Sequence, residues 1–283
     1  MTYAGIPDKH SKLETAKIVL IPVPYDGTST WVKGSDKGPE AFLDASANME
    51  LYDIETDSEV YTKGIYTAGP VLEVSSPEAL AIKVHDAVLK FLEDGKFVVT
   101  LGGEHSVTIG AAQAYAEKVN GLCVLQIDAH TDLRQEYEGS RFNHACVMAR
   151  VREMCPIVQV GIRSMDVVEK PYMDRGRVFF AKDIVGGHDG WIDDVIEKLD
   201  YHVYVTIDLD GFDPSIMPAT GTPEPGGLSY YDVINLMRKL IIKKKLVGFD
   251  VVELCPIENN KASDFLASKL IYQLLSYQFA GNK

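Results

Sequence analysis

Six side chains of this chain have the chemical types and the spacing of metal ligands. They are His105, Asp128, His130, Asp132, Asp208 and Asp210. Carboxylates and imidazoles are costly to bury without partners, and a divalent cation is the usual partner that holds several of them together. A set with four carboxylates, two imidazoles and no thiolate favours a hard ion such as Mn²⁺ over a structural Zn²⁺, since one zinc ion does not need six protein ligands.

The candidate ligands follow apolar runs that are typical of buried β-strands. The predicted strands are residues 18–23, 97–101, 122–127, 157–162, 178–181, 203–207 and 246–252. These runs are almost continuously apolar, which indicates a parallel sheet with both faces covered. Ligands of such sheets bind beyond the carboxyl ends of the strands. We therefore expect the six side chains, and the acidic Asp250 and Glu253 of the last strand, to converge on one edge.

Helices are predicted between the strands. One begins at Ser76-Pro77 and ends at Gly95, and another begins with a capping box of Ser229 and Asp232 and ends in the basic run 243–245. Residues 262–279 form a last, amphipathic helix, whereas residues 27–71 show too little periodicity to place elements. No repeat or linker interrupts the chain, so we expect residues 1–283 to form a single domain.

Each motif alone has another interpretation. Gly102-Gly103-Glu104-His105-Ser106 could be a tight turn or a weak phosphate cradle, and 128–132 could be a polar loop with an N-capping aspartate. The segment 208–214 could simply form a turn, for which Asp, Gly and Pro are the usual residues. Together, in this order and each after a strand, they predict one metal site.

Charge and composition exclude several classes of protein. The chain has 41 acidic and 28 basic residues and a net charge of −13, which argues against a nucleic-acid or anionic-membrane surface and suits a small cationic ligand. The N-terminus lacks the pattern of a signal peptide, and no apolar run reaches the length of a membrane span. The four cysteines, at 123, 146, 155 and 255, form no Cys-x-x-Cys pair and indicate reduced thiols. We predict a cytoplasmic protein.

The combined motifs resemble the ureohydrolase family, which includes arginase, agmatinase, guanidinobutyrase and formiminoglutamase. The resemblance runs from Pro24-Tyr25-Asp26 to about Pro256 and includes Asp-Leu-Asp-Gly-Phe-Asp-Pro at 208–214 and the segment 221–228. It implies a three-layer α/β/α sandwich around a mainly parallel sheet of about eight strands, and two Mn²⁺ ions per subunit. It also implies a homo-oligomer, a trimer or a hexamer.

The resemblance implies a ligand set for each ion. His105, Asp128, Asp132 and Asp208 would hold one ion, and Asp128, His130, Asp208 and Asp210 the other, so that Asp128 and Asp208 bridge. Two divalent ions and four carboxylates cancel in charge, and a bridging hydroxide with Glu253 leaves the pocket negative. Such a pocket attracts cations and repels phosphate esters.

The family resemblance also implies a mechanism. A metal-bridging hydroxide would attack the guanidinium carbon, because guanidinium is a poor electrophile that needs a strong nucleophile near neutral pH. Glu253 would hold the guanidinium by paired charge-assisted bonds, Asp132 would relay a proton toward the departing amine, and His144 would act as a proton shuttle and contact the substrate.

The sequence of the loop after Asp132 indicates which guanidine is the substrate. Arginases carry Asn and Ser residues there, whereas this chain continues 133–140 as Leu-Arg-Gln-Glu-Tyr-Glu-Gly-Ser and resembles the agmatinase type. We therefore expect agmatine to be hydrolysed to putrescine and urea, with aminopropylagmatine as a close competitor and guanidinobutyrate, arginine and formiminoglutamate behind it. Glu136, Glu138 and Glu224 could steer a distal ammonium or could be solvated. Arg134 does not suit a dicationic substrate by itself: it could pair with a neighbouring carboxylate, or it could favour a carboxylated guanidine.

Two further expectations remain. The other histidines, at 10, 85, 188 and 202, are assigned surface or packing roles, and Cys255 stands where relatives usually carry Ser or Asn. Packing is the expected role of Cys255, and oxidation sensitivity is the alternative. An inactive metal-binding regulatory paralogue is the alternative to an enzyme, but every expected site position is occupied.

Overall fold

The computed structural model describes residues 2–187 and 190–280. Within them, eight parallel strands form one sheet in the order β2-β1-β3-β8-β7-β4-β5-β6. The strands are β1 (Ile18–Val23), β2 (Ile65–Thr67), β3 (Phe97–Gly102), β4 (Leu122–Ile127), β5 (Ile157–Ile162), β6 (Val178–Phe180), β7 (His202–Asp208) and β8 (Lys245–Val252). Every pairing between neighbouring strands is parallel, so all carboxyl ends lie at the same edge.

Helices cover both faces of the sheet. They are α1 (Gly38–Ser46), α2 (Pro77–Glu93), α3 (Val107–Lys118), α4 (Val147–Val151), α5 (Ala181–Ile184), α6 (Trp191–Lys198), α7 (Tyr230–Lys243) and α8 (Ala262–Phe279). One apolar core lies between the sheet and α1, α5, α6, α7 and α8. A second core lies between the opposite face and α2, α3 and α4. The predicted three-layer α/β/α sandwich is confirmed.

The strands are buried on both faces because their side chains alternate between the two cores. In β1, Ile18 and Leu20 pack into the first core, and Val19 and Ile21 pack into the second. This alternation follows from the period of two residues in a strand. A continuously apolar strand therefore needs helices on both faces, as the sequence indicated.

Local signals fix the beginnings of the long helices. The Ser76 hydroxyl accepts a hydrogen bond from the Ala79 amide N–H (3.1 Å) before α2. Ser229 and Asp232 form the predicted capping box before α7. Caps of this kind contribute about 1 kcal/mol each, because they satisfy amide groups that have no partner within the helix.

Three expectations need correction. α8 is not one-sided: the residues from Leu270 to Ser276 are all buried, because the helix packs against the sheet and between α1 and α7. The basic run 243–245 is divided, since Lys243 ends α7 and Lys245 begins β8. The segment 27–71 contains α1 and the short edge strand β2, whose three residues are too few for a clear periodicity.

The four strands at the centre of the sheet, β3, β8, β7 and β4, carry the candidate site residues at or just beyond their carboxyl ends. None of the helices in the described ranges combines the length and apolarity that a membrane span requires.

Candidate active site

A cavity of about 300 Å³ opens at the carboxyl edge of the central strands. Seven of the eight predicted site residues line it: His105, His130, Asp132, His144, Asp208, Asp210 and Glu253. The eighth, Asp128, is fully buried between the two predicted histidine ligands. The fold thus brings together these eight residues. Asp250, which was also expected at this edge, lies outside the cavity lining, because its side chain is buried and accepts a hydrogen bond from the Tyr204 hydroxyl (2.6 Å).

Three carboxylates surround one nitrogen of His105. Its Nδ1 atom lies 2.9 Å from Asp132 Oδ2, 3.2 Å from Asp128 Oδ2 and 3.3 Å from Asp208 Oδ2. Nδ1 is buried, yet no hydrogen bond of acceptable geometry satisfies it. The other ring nitrogen, Nε2, lies 2.9 Å from the hydroxyl of Thr206, which leaves Nδ1 as the atom that faces the carboxylates.

A second group forms around His130. Its Nδ1 atom lies 3.0 Å from Asp210 Oδ2 and 3.6 Å from Asp128 Oδ1. Asp128 therefore presents one oxygen to each histidine, as expected of a bridging ligand. Asp208 directs Oδ2 toward His105 and accepts a hydrogen bond from the Asp210 amide N–H at Oδ1 (2.9 Å). The bridging role of Asp208 stays a prediction.

The residues present fit a pair of divalent cations. The ligand atoms of His105, Asp128 and Asp132 lie within 4.8 Å of one another, and so do those of Asp128, His130 and Asp210. The unsatisfied Nδ1 of His105 and the surrounding carboxylate oxygens are the donors that a hard or borderline ion prefers. The two groups share Asp128, so the arrangement could hold two adjacent ions.

Crowding of like charges perturbs the pKa values of these carboxylates. Burial, together with the neighbouring Asp128, raises the pKa of Asp132 to about 7. Burial and the charges of Asp210 and Asp128 raise the pKa of Asp208 well above its usual value. Burial lowers the pKa of His105, but the carboxylates outweigh it and raise this pKa. The protein thus retains protons where cations would otherwise balance the charge.

Glu253 lies beside the ligands on the β8 side of the cavity. Its Oε1 atom accepts a hydrogen bond from the His105 amide N–H (2.7 Å), and its Oε2 atom accepts one from the Ser35 hydroxyl (3.1 Å). Burial and the charge of Glu104 raise the pKa of Glu253 to about 8. These contacts hold the carboxylate where it can pair with a cationic substrate.

The backbone is strained at two of the site residues. Asp132 has φ of 50° and Glu253 has φ of 66°, in the left-handed region that residues other than glycine seldom adopt. Such conformations persist only where surrounding contacts impose them. Gly103 meets a different demand, because a Cβ atom there would lie 2.0 Å from the carbonyl oxygen of Tyr25.

His144 lies across the cavity in a network that the sequence did not indicate. Its Nδ1 atom is 3.1 Å from the Thr28 hydroxyl oxygen, which also accepts a hydrogen bond from the His144 amide N–H (3.0 Å). Thr28 and Ser106 in turn hydrogen-bond to the two oxygens of buried Glu104. Burial and the charges of His105 and His130 lower the pKa of His144 to about 4.

Arg134 and its partners form the more exposed side of the cavity. The guanidinium donates to Asp166 Oδ2 (3.0 Å), and its Cζ atom lies 4.4 Å from the centre of the Tyr137 ring. The predicted pairing of Arg134 with a carboxylate is confirmed. Glu224 Oε1 lies 3.9 Å from His130 Nε2, whereas Glu136 and Glu138 are exposed and lie outside the cavity lining.

Two segments contribute residues that sequence reasoning missed. The loop 26–35 is fastened by Asp26, whose carboxylate accepts hydrogen bonds from the Gly34 and Ser35 amides (2.6 and 3.3 Å), and it supplies Thr28, Thr30 and Ser35 to the site. Buried Glu169 accepts hydrogen bonds from Thr131 and Leu133 and so holds the strand-end loop on both sides of Asp132. The signal near Pro24-Tyr25-Asp26 marked the first segment without assigning it a role.

None of the other histidines and cysteines in the described ranges belongs to the two His/Asp groups. His85 contacts Asp86 and Glu117, His10 packs against Tyr61, and His202 contacts Asn120, as surface or packing roles require. His188 lies outside the described residues. The four cysteines are free thiols, and Cys255 is buried with its Sγ atom 3.5 Å from the Lys33 carbonyl oxygen.

Comparison with known proteins agrees with this geometry. The sequence model of the arginase family matches residues 16–276 of this chain. The N(1)-aminopropylagmatine ureohydrolase of Synechocystis sp. is 41% identical over 93% of this chain and 89% of that protein. The agmatinase of Pyrococcus horikoshii is 33% identical over 93% and 92%, respectively. The crystal structure of the agmatine ureohydrolase of Thermoplasma volcanium superimposes with a TM-score of 0.85 at 34% identity, covering 94% of this chain and 91% of that one. This chain therefore belongs to the arginase family of ureohydrolases.

Proposed function

We propose that this protein hydrolyses the guanidino group of a linear polyamine, releasing urea and an amine. The observation that carries this proposal is the pair of His/Asp groups sharing Asp128, with Glu253 beside them in the same cavity. Carboxylates outnumber cationic side chains around this cavity, which favours a cationic substrate over an anionic one. Membership of the arginase family supports the same reaction class.

Two Mn²⁺ ions are the proposed cofactor, held by His105, His130 and the four aspartates. When bound, such ions lower the pKa of water enough to supply a nucleophile near neutral pH. The protein's own residues then bind and orient the substrate. Glu253 accepts hydrogen bonds from the guanidinium, and the His105 amide N–H and the Ser35 hydroxyl hold its carboxylate in place.

Proton transfer is assigned to two side chains on opposite sides of the substrate. Asp132 Oδ2, beside His105, accepts the proton that the attacking water loses. His144 takes up this proton at Nε2 and passes it to the amine nitrogen that departs, since its Nδ1 is bound to Thr28 and its side chain lines the cavity. The low pKa of His144 suits a group that is neutral at rest and gives up an acquired proton readily.

We propose N(1)-aminopropylagmatine as the preferred substrate and agmatine as the second candidate. The relative from Synechocystis, which bears the first name, is more similar in sequence than the agmatinase of Pyrococcus horikoshii. The exposed side of the cavity also offers Asp166 for an additional ammonium group of the longer substrate, and Glu224 lies nearby, 3.9 Å from His130 Nε2. Agmatine, which the sequence alone favoured, has the support of the second relative and of the Thermoplasma volcanium enzyme.

A urea-release panel with added Mn²⁺ tests both levels of the proposal. We expect the ratio kcat/KM to decrease in the order N(1)-aminopropylagmatine, agmatine, guanidinobutyrate and arginine. Faster turnover of agmatine than of N(1)-aminopropylagmatine would refute the substrate order but leave the reaction class intact. Absence of urea from every guanidine, in protein shown to contain Mn²⁺, would refute the class and favour an inactive metal-binding paralogue.

A further inference from the structure

The Thr28 hydroxyl lies between buried Glu104 and His144, whose side chain lines the cavity. It makes three close contacts: with Glu104 Oε2, with the His144 amide N–H (3.0 Å) and with His144 Nδ1 (3.1 Å). Glu104 is completely buried, and its Oε1 atom is occupied by the Ser106 hydroxyl. Neither Thr28 nor Glu104 belongs to the predicted site residues.

Counting protons fixes the direction of each contact. A hydroxyl group has one proton to donate and two lone pairs that accept, whereas an ionised carboxylate only accepts. When Glu104 is ionised, the Thr28 proton must point to it, because the two oxygens would otherwise face each other with lone pairs only. Both lone pairs of Thr28 are then left for the His144 amide N–H and for His144 Nδ1, so Nδ1 must carry a proton.

We propose that Thr28, oriented by Glu104, is a positioning residue that fixes His144 in the Nδ1–H tautomer. This inference rests on the proposed role of His144 as the proton carrier of the reaction. In this tautomer the lone pair lies on Nε2, the ring nitrogen that is available to the cavity. The other tautomer would present an N–H there and could not accept a proton. The position of Glu104 Oε2, 3.6 Å from His144 Nδ1, favours a proton on Nδ1 for the same electrostatic reason.

Nitrogen NMR of the full-length chain labelled with ¹⁵N-histidine tests this tautomer directly. The spectra are recorded without Mn²⁺, whose unpaired electrons broaden nearby resonances, and at alkaline pH, where Glu104 is ionised and His144 neutral. A His144→Asn variant assigns the resonances. We expect unprotonated Nε2 and protonated Nδ1 in the wild type and in Thr28→Ser, which keeps the hydroxyl. Thr28→Val, of nearly the same size, should show a substantial Nε2–H population.

Glu104→Gln provides the second arm of the NMR experiment. An amide can donate to Thr28, which then donates to Nδ1, so a population with Nε2–H should appear. Retention of the Nδ1–H tautomer in Thr28→Val would overturn the proposal. If Glu104→Gln retains the Nδ1–H tautomer, Glu104 has no part in fixing this tautomer.

Steady-state kinetics with Mn²⁺ distinguish a positioning role of the Thr28 hydroxyl from a purely structural role of this residue. Thr28→Val should lower kcat by about tenfold with little change in KM, and Thr28→Ser should restore most of the loss. Equal losses in the two variants would contradict a role for the hydroxyl. Failure of the proposed function is a separate result: the wild type would release no urea, while the tautomer would remain measurable.

Discussion

The cavity has a buried part and an exposed part, and the two differ in how the chain builds them. The buried part consists of His105, Asp132 and Asp208, whose side chains are at most 8% exposed and follow directly on central strands. The exposed part includes Arg134 and Asp166, whose side chains are 26% and 36% exposed and belong to loops. Hydrogen bonds and ion pairs between loops, rather than strand pairing, hold the second group in place.

This difference separates the chemistry of the site from its selectivity. Strand ends of a rigid parallel sheet fix the ligand atoms within a few ångströms of one another, and two ions need this accuracy. Loops tolerate replacement and are the usual place where binding preferences change. We therefore expect changes in the buried part to abolish turnover and changes in the exposed part to alter substrate preference.

Asp128→Asn should have the largest effect, because both His/Asp groups found among the described residues contain Asp128. Urea release should fall by about 1,000-fold or more, which corresponds to about 4 kcal/mol of lost transition-state stabilisation. Metal analysis should find fewer than two Mn²⁺ per chain, while circular dichroism remains that of the wild type. Glu136→Gln, exposed and outside the cavity, is the control. Full metal content with normal turnover would show that Asp128 is not a ligand.

The affinity for Mn²⁺ should rise with pH. The pKa values of Asp132, about 7, and of Glu253, about 8, are raised in the folded protein, so the metal-free site retains protons that an unfolded chain has lost. Cations must displace such protons, and each proton released strengthens binding by about tenfold per pH unit below the pKa. For Asp132 alone, with a pKa of about 7, we expect a gain of about tenfold between pH 6 and 8, and further released protons increase it. Calorimetric titration in buffers of different ionisation enthalpy measures both the gain and the number of protons.

Asp132 and Glu253 also determine whether the free energy of unfolding rises or falls with pH. The folded metal-free protein binds more protons than the unfolded chain between their ordinary pKa values and about pH 8, so its free energy of unfolding falls as pH rises through this range. Thermal melting should show a lower Tm at pH 8 than at pH 6 without metal. Added Mn²⁺ should raise the Tm more at pH 8. A metal-free Tm that increases with pH would contradict the crowding of carboxylates.

Glu253→Gln should lower kcat/KM by about 30-fold, the value of one charge-assisted contact of about 2 kcal/mol. Most of the loss should appear in KM if the carboxylate holds the guanidinium already in the ground state. Mn²⁺ content should stay normal, which distinguishes this change from Asp128→Asn. Cys255→Ser, two residues away and buried, is the matched control, and unchanged kinetics and peroxide response would assign Cys255 to packing.

Asp166→Asn should have the smallest effect, confined to the exposed part of the cavity. It removes a charge that balances Arg134 and that we propose for a distal ammonium of the substrate. We expect kcat/KM for N(1)-aminopropylagmatine to fall by about fivefold relative to agmatine, as for a partly exposed ion pair. Glu136→Gln should leave this ratio unchanged. Equal losses for both substrates would assign Asp166 to the structure of the loop.

The sequence by itself determined the parallel sheet, its two covered faces and the six candidate ligands. An apolar run can be recognised within one short segment of sequence, and so can a cluster of acidic and histidine residues directly after it. Such a cluster is costly to bury without a partner, so it indicates a site. The tertiary structure alone decided how Thr28, Ser35 and Glu169 contact the site, because these partners lie between 36 and 218 residues away along the chain. It also decided that α8 is buried on most of its surface. Such contacts depend on how loops and helices pack over the sheet, and no spacing within one segment encodes them.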